Sequence, residues 1–346
     1  MRLSIESFLH RQWQQRGWWS WLMRPLSALY GCLSGRAKQQ ALRRQQRIPV
    51  PVVVAGNVFV GGTGKTPLVI AIVQHLQAQG LRPGVISRGY GASAEAVCAV
   101  TQSTQVTQSG DEPWLIHWHT GAPVFVGRRR TEAALALLAA HPETDVLIAD
   151  DGLQHYQLGR DIELVLFDQR GCGNGLLLPA GPLREAASRP RDFTILNAPH
   201  SIDVQQVPGL AAESGVVRMV LQPGSCWQLA DPAQRRPLSA FAGQQVTAAA
   251  GIGHPERFFQ TLRSAGIQPQ TMPLPDHYQF SATDFQSCDS QTILITEKDA
   301  VKCLQIPALK NDRRIWVLPV EAQLTPSFLA DLTQMISEKQ RGSPSA

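Results

Sequence analysis

Short apolar runs, separated by turns rich in glycine, proline and polar residues, recur along the chain. Residues 52–55 form one such run, rich in β-branched side chains and bounded by Pro51 and Gly56, which is the pattern of a buried strand. Runs at 83–87, 123–126, 145–151, 162–167 and 193–197 predict further strands. Segments of helical periodicity lie between them, at 68–76, 114–118 and 131–140. Residues 92–110 are Ser/Thr/Gln-rich and predict no regular element until Gly110-Asp111-Glu112-Pro113, which heads the helix at 114–118. A loop-like stretch at 199–215 reads as a linker. Beyond it the rhythm resumes, with strands at 216–221, 245–250, 270–274, 292–295 and 315–318 and helices near 255–265 and 325–338. Strands alternating with helices imply mostly parallel sheets joined by right-handed crossovers.

The first residues depart from this rhythm. Leu3, Ile5, Phe8, Leu9 and Trp13 stand at helical spacing with Arg11, Gln12, Gln15 and Arg16 between them. After Gly17, residues Trp18, Trp19, Trp21, Leu22 and Met23 crowd together ahead of Arg24-Pro25, and residues 36–47 form a basic, Gln-rich approach to the first strand. Charge sharpens the picture. The whole chain carries +5, yet the first 50 residues hold nine Lys/Arg against one acid, Glu6. The remainder is therefore slightly acidic, and no nucleic-acid surface is indicated. Tryptophan beside arginine favours the interface of an anionic bilayer. Two readings of the arm stay open: a basic amphipathic helix lying on a membrane surface, or a helix packed on the catalytic domain, and different faces can do each. No apolar run is long enough to span a bilayer, and Glu6 with Gln12 to Gln15 interrupts any secretory signal. The length suits two domains, and 43% hydrophobic with 17% charged residues is an ordinary globular composition. Six scattered cysteines without CxxC spacing indicate reduced thiols and no zinc site.

The sharpest chemistry comes directly after the run at 52–55. Phe59-Val60-Gly61-Gly62-Thr63-Gly64-Lys65-Thr66 leads into the helix at 68–76. Strand, glycine loop, Lys-Thr and helix make a phosphate cradle: backbone N–H groups and the helix N-terminus meet an anion, lysine reaches the outer phosphates and threonine can ligate Mg²⁺. The P-loop pattern asks for glycine where Phe59 stands. The second half of such a site is an apolar strand ending in aspartate, and 145–151 reads DVLIADD. Ser87-Arg88-Gly89-Tyr90-Gly91 comes after another strand, where α/β sheets bind ligands. Arg128, Arg129 and Arg130 read as a solvated helix start, one of which could face phosphate. Gly251-Ile252-Gly253 lacks the third glycine of a dinucleotide fingerprint and reads as a tight turn.

Together GNVFVGGTGKTP, SRGYG, GDEP, DDGLQH, LLPAGPLRE, PDHYQF and TEKDAVK, in this order, resemble the tetraacyldisaccharide 4′-kinase family of bacterial lipid A biosynthesis, from the arm to about residue 302. Phe59 fits, since that family's loop is atypical in the same way. The resemblance implies a P-loop NTPase-like α/β fold of mostly parallel strands. It places a kinase domain at 49–205, a second, smaller α/β domain at 206–346 with a disordered tail, and the arm at 1–48. It further implies transfer of the ATP γ-phosphate to the 4′-hydroxyl of a tetraacylated glucosamine disaccharide 1-phosphate. The enzyme would sit peripherally on the cytoplasmic face of the inner membrane, on anionic lipid, with no obligate protein partner evident. Lys65 and the loop 59–66 would hold ATP. Thr66, helped by Asp150 or Glu112, would hold Mg²⁺. Asp111 is the candidate base, and the resemblance adds His277 as its partner. That histidine would otherwise read as a loop residue beside Tyr278. Tyr90, Gln154, His155, Asn174, Arg184 and Glu185 match substrate-binding positions, and Lys298 and Asp299 receive no role. A membrane-bound ATPase switch would carry a second lysine where Val60 stands. A guanine reader would have the lysine of Thr296-Glu297-Lys298-Asp299 one place earlier.

Overall fold

A computed structural model describes residue 9, residues 11–89 and residues 96–342. The expected first half-turns at 3–8, Tyr90 and the tail at 343–346 lie outside the described residues. Gly17 precedes α1 (Trp18–Leu42), a 25-residue helix that takes in the first part of the basic, Gln-rich approach at 36–47.

Next come β1 (Val52–Gly56), α2 (Lys65–Ala78), β2 (Pro83–Ser87), β3 (Cys98–Val100) and α3 (Val106–Ser109). Then follow α4 (Asp111–Thr120), β4 (Val124–Val126), α5 (Arg130–Ala140), β5 (Val146–Asp150), β6 (Ile162–Asp168), β7 (Phe193–Asn197) and β8 (Val217–Pro223). The next run holds β9 (Cys226–Gln228), β10 (Arg235–Arg236), β11 (Val246–Ala250), α6 (Pro255–Ser264), β12 (Gln270–Pro273) and β13 (Thr292–Thr296). It closes with α7 (Glu297–Cys303), α8 (Pro307–Lys310), β14 (Ile315–Leu318), β15 (Val320–Leu324) and α9 (Pro326–Gly342).

These strands form two sheets. The larger has nine, in the order β15-β8-β7-β6-β1-β5-β2-β4-β3, and the smaller has six, in the order β10-β9-β14-β13-β11-β12. In the larger sheet every strand from β8 to β4 runs parallel, while β15 and β3 close the edges antiparallel. Parallel strands are covered on both faces and so read as unbroken apolar runs. Val52, Val53, Val54 and Ala55 are buried accordingly. One face is packed by Leu68, Ile72 and Leu76 of α2, Trp114 and Ile116 of α4, and Phe328, Leu332 and Ile336 of α9. Ala133, Ala134 and Leu137 of α5 pack the other, with Leu153, Leu158 and Leu183 from the loops.

The division between the two halves differs from the one read in the sequence. The run at 216–221, expected to open the second unit, becomes β8 and pairs with β7 in the first sheet. The chain then builds the smaller sheet and returns, so that β15 zips onto β8 and α9 covers the first core. Propensity cannot reveal this, because sheet membership depends on a pairing partner about a hundred residues away.

Candidate active site

The glycine loop leaves the end of β1, at the carboxyl edge of the parallel strands where α/β sheets hold ligands. Two glycines are required by geometry. Gly61 and Gly64 sit at φ +109° and +97°, and a Cβ on Gly64 would lie 2.6 Å from Asn197 Nδ2. Lys65 and Thr66 open α2, and Lys65 Nζ stands 3.5 Å from Asp151 Oδ1. Phe59 is buried and bridges Leu183.

β5 delivers Asp150 to the same edge. Its carboxyl is pushed up to about 7 by burial and by the charges of Glu112 and Asp151, against Lys65 and Arg130. Ser87 Oγ donates to its Oδ2 at 3.4 Å, while Oδ1 is buried with no hydrogen-bond partner among the described residues. Asp151 takes a left-handed conformation, φ +49°, which a non-glycine residue adopts only under constraint. It faces Lys65 and, at 3.7 Å, Arg184 Nη1. Arg130 is buried beside the two aspartates, while Arg128 and Arg129 stay exposed. Burial lowers the Arg130 guanidinium to about 10, and the two aspartates oppose the shift.

Among the described residues no cluster of three His, Cys, Asp or Glu side chains could hold a metal by itself. That suits Mg²⁺, which takes one or two carboxylates and completes its shell with phosphate oxygens and water. The unpartnered Asp150 Oδ1 and the Thr66 hydroxyl fit such an ion. Glu112 is engaged elsewhere, in an ion pair with Lys298 Nζ that reaches across from α7. The Lys298 ammonium is held charged by Glu112 and Asp111 in spite of its burial.

Asp111 begins α4 and is buried. Its Oδ2 lies 3.5 Å from His277 Nδ1. Burial pushes the Asp111 carboxyl up, but the His277 hydrogen bond and the charges of Lys298, His277 and Lys302 outweigh it and bring it down to about 2. His277 is raised in turn, chiefly by its hydrogen bond with Asp111. It too has positive φ, +57°. The two side chains meet although they lie far apart in the sequence, Asp111 at the start of α4 and His277 between β12 and β13. Asp299 explains itself differently. It accepts from Gly251 N at 3.0 Å and Thr296 Oγ1 at 2.7 Å, which locks the Gly251 turn to the start of α7.

The remaining candidates divide. Gln154 Nε2 donates to Asn57 O at 3.3 Å and to Glu185 Oε1 at 2.9 Å. Glu185 also accepts from Tyr156 and Arg189 and lies 3.6 Å from Lys38 of α1. His155 Nε2 accepts from Arg130 N at 3.3 Å, and burial with Arg130, Arg160 and Arg88 lowers it to about 4, so the ring is neutral near pH 7. Asn174 is buried, and its amide nitrogen donates to Ser20 Oγ at 3.0 Å and Ala180 O at 2.9 Å, which ties its loop to α1. The structure therefore sets Arg184 against Asp151, Gln154 against Glu185 and His155 against Arg130, and gives Asn174 a fastening contact. Sequence reasoning left Lys298 without a partner, because its carboxylate lies 186 positions away on another element.

The chain is similar to proteins already known. A family model described as LpxK, tetraacyldisaccharide-1-P 4′-kinase, matches residues 19–337. The chain is 50% identical to the tetraacyldisaccharide 4′-kinase of Herminiimonas arsenicoxydans over 352 residues, covering 99% of this chain and 97% of that one. It is 51% identical to the protein of that name from Janthinobacterium sp. (strain Marseille), covering 99% and 98%. Its fold is similar to the crystal structure of "apo" form LpxK from Aquifex aeolicus in complex with ATP, with TM-score 0.75, 26% identity and coverage of 92% and 98%. On these matches the chain belongs to the tetraacyldisaccharide 4′-kinase family.

Proposed function

We propose that the chain transfers the γ-phosphate of ATP to the 4′-hydroxyl of a tetraacylated glucosamine disaccharide 1-phosphate, giving the 4′-phosphorylated lipid A precursor. One observation carries the assignment of roles. Asp111 and His277 meet 3.5 Å apart, and the adjacent Glu112 acts electrostatically on Asp150 beside Lys65. The acid–base pair and the phosphate loop serve one reaction site in this reading.

In this reading the loop amides and Lys65 hold the β and γ phosphates. Thr66 and Asp150 would hold Mg²⁺, which would supply charge neutralisation at the phosphate oxygens. Asp111 orients the sugar hydroxyl and accepts its proton, and His277 keeps the carboxylate aimed. A low Asp111 pKa is compatible with this, because a loose phosphoryl-transfer transition state needs the proton late. Lys298 holds Glu112 in its ion pair. Arg184, Gln154 and His155 border the acceptor sugar phosphate. We also take residues 226–318 as the second domain, which brings His277 and Lys298 to the first.

We further place the enzyme on the membrane that holds its acylated substrate. Trp18, Trp21, Leu22, Leu26, Leu29 and Leu33 form an exposed stripe along α1, and none of the described helices is long and apolar enough to cross a bilayer. The test of the reaction is transfer of labelled phosphate from ATP to the disaccharide in detergent micelles. Asp111→Ala should lower kcat by roughly 10²–10⁴ with ATP affinity little changed. Collapse of ATP binding in that variant would move Asp111 to the metal site and leave the base elsewhere.

A further inference from the structure

Three side chains outside the proposed ATP ligands each hold one carbonyl of the glycine loop. Asn57 Nδ2 donates to Gly61 O at 3.0 Å. Arg170 Nη2 donates to Gly62 O at 3.1 Å. Asn197 Nδ2 donates to Thr63 O at 2.8 Å. They come from three strands that are neighbours in the sheet. Asn57 directly follows β1, Arg170 lies two residues beyond β6, and Asn197 is the last residue of β7.

A trans peptide places a carbonyl and the next residue's N–H on opposite sides of one rigid plane. Among the described residues the cis bond is Leu178–Pro179, so all three loop peptides are trans. Capturing the carbonyls of Gly61, Gly62 and Thr63 therefore fixes where the N–H groups of Gly62, Thr63 and Gly64 point. Those are successive donors of the phosphate cradle. The loop needs such help because three of its four residues are glycines, which order only at high entropic cost.

Arg170 is itself held in place. Its Nε donates to both oxygens of Asp168 at 3.0 Å, and its guanidinium lies over the Phe59 ring, 4.5 Å from the centroid. The aromatic ring that replaces the pattern's first glycine is thus the floor on which this arginine rests. Asn57 Oδ1, Thr63 Oγ1 and Arg170 Nη1 are buried without hydrogen-bond partners among the described residues.

We infer that Asn57, Arg170 and Asn197 are positioning residues that pre-aim the Gly62, Thr63 and Gly64 amides at the nucleotide phosphates. This rests on reading the loop as the ATP cradle. It predicts a loss confined to nucleotide binding, because amides that hold phosphates equally in the ground and transition states act on KM and leave kcat alone.

The experiment measures Mg·ATP affinity by calorimetry, steady-state kinetics and nucleotide-free melting for Asn57→Ala, Arg170→Met, Asn197→Ala and Lys65→Ala. Each of the first three should raise the ATP Kd and KM between about twofold and tenfold, the range of one net hydrogen bond. kcat at saturating ATP and the KM for the lipid should stay within about twofold. Where Arg170→Met does not fold, Arg170→Lys, which keeps the charge without the fork, takes its place. Wild-type ATP affinity in all three, with weakened binding in Lys65→Ala, overturns the clamp and keeps the cradle. Wild-type affinity in Lys65→Ala as well overturns the cradle itself. A lowered melting temperature with unchanged ATP Kd overturns the clamp in favour of ordinary packing contacts.

Discussion

Single residues in this site stand in states that the isolated amino acid would avoid. Asp150 is the clearest. Its folded pKa, about 7, lies above the carboxylate's usual 3.8, so the fold favours its neutral form. Native structure therefore loses stability from this group as pH rises from about 4 through 7, and above that the full cost remains. Asp150→Asn removes the buried anion and keeps the shape. It should melt higher than the parent at pH 8, with the gap closing by pH 5, while phosphate transfer is lost. Thermal melts of both proteins across that range check it; an Asn variant less stable at pH 8 would mean that Lys65 and Arg130 already overcompensate the charge. Residues of this kind were legible only in part. Lys65 and Asp150 announce themselves because their motifs are local and sequential. Glu112 sits in the same motif set, yet its ion pair with Lys298 could not be read from spacing. Asn174 was named because it matches a substrate-binding position of the family, and spacing could not show that its buried amide donates to Ser20 and Ala180.

At the scale of elements, the legible part was the part that repeats locally. β1, the glycine loop and α2 were visible as an apolar run, a turn and a periodic helix. The strands β2, β4, β5, β6 and β7 were visible as buried runs. The β8–β15 pair was not, since β15 reads Val-Glu-Ala-Gln-Leu, an alternating pattern with only one half-buried side, at the exposed edge of the sheet. β15 matters because it hands the chain to α9. That helix returns to the first core and buries Phe328, Leu332 and Ile336 there, with Phe328 edge-on to Phe193 at 5.0 Å between ring centroids. The far end of the chain is thus part of the core on one face of the larger sheet. Leu332→Ala, at a fully buried position, should cost about 2–5 kcal/mol of stability although it lies on none of the elements that carry the site. Denaturant unfolding would register this as a lower midpoint, and a change under about 0.5 kcal/mol would show that α9 is only loosely docked.

Across the whole molecule, the segment at 177–184 fastens the arm and the phosphate loop to one another. Trp13 and Trp19 donate their indole N–H groups to Pro179 O at 3.0 and 3.3 Å, Ser27 to Leu177 O at 2.8 Å, and Tyr30 to Arg184 O at 3.0 Å. On its other side that segment pairs with the chain just before the glycine loop, through Arg184 N to Val58 O at 2.7 Å and Val60 N to Pro182 O at 3.0 Å. The inner face of α1 is therefore polar, and its outer face carries Trp18 and Trp21 at 63% and 72% exposure with Leu22, Leu26, Leu29 and Leu33. This inverts the usual plan of a surface helix, which turns its apolar stripe to the core. The packed reading of the arm thus holds on its inner face, and the proposed bilayer interface belongs to its outer one. Deleting the arm would confuse the two, because it removes the hydrogen bonds to Pro179 and Arg184 along with the apolar stripe. Substitution on the outer face separates them. Trp21→Asp with Leu29→Asp leaves every one of those bonds in place and puts charge where acyl chains would lie. The double variant should keep its melting temperature and its KM for ATP within about twofold. It should also stop co-sedimenting with anionic vesicles and need at least roughly tenfold more vesicle-presented lipid for half-maximal rate, since burying either charge in a bilayer costs more than about 1.4 kcal/mol. Salt should weaken the parent's residual attraction through Arg24, Arg36 and Arg43 without restoring the variant. Equal co-sedimentation of parent and variant at low and high salt would place the membrane contact on a different surface.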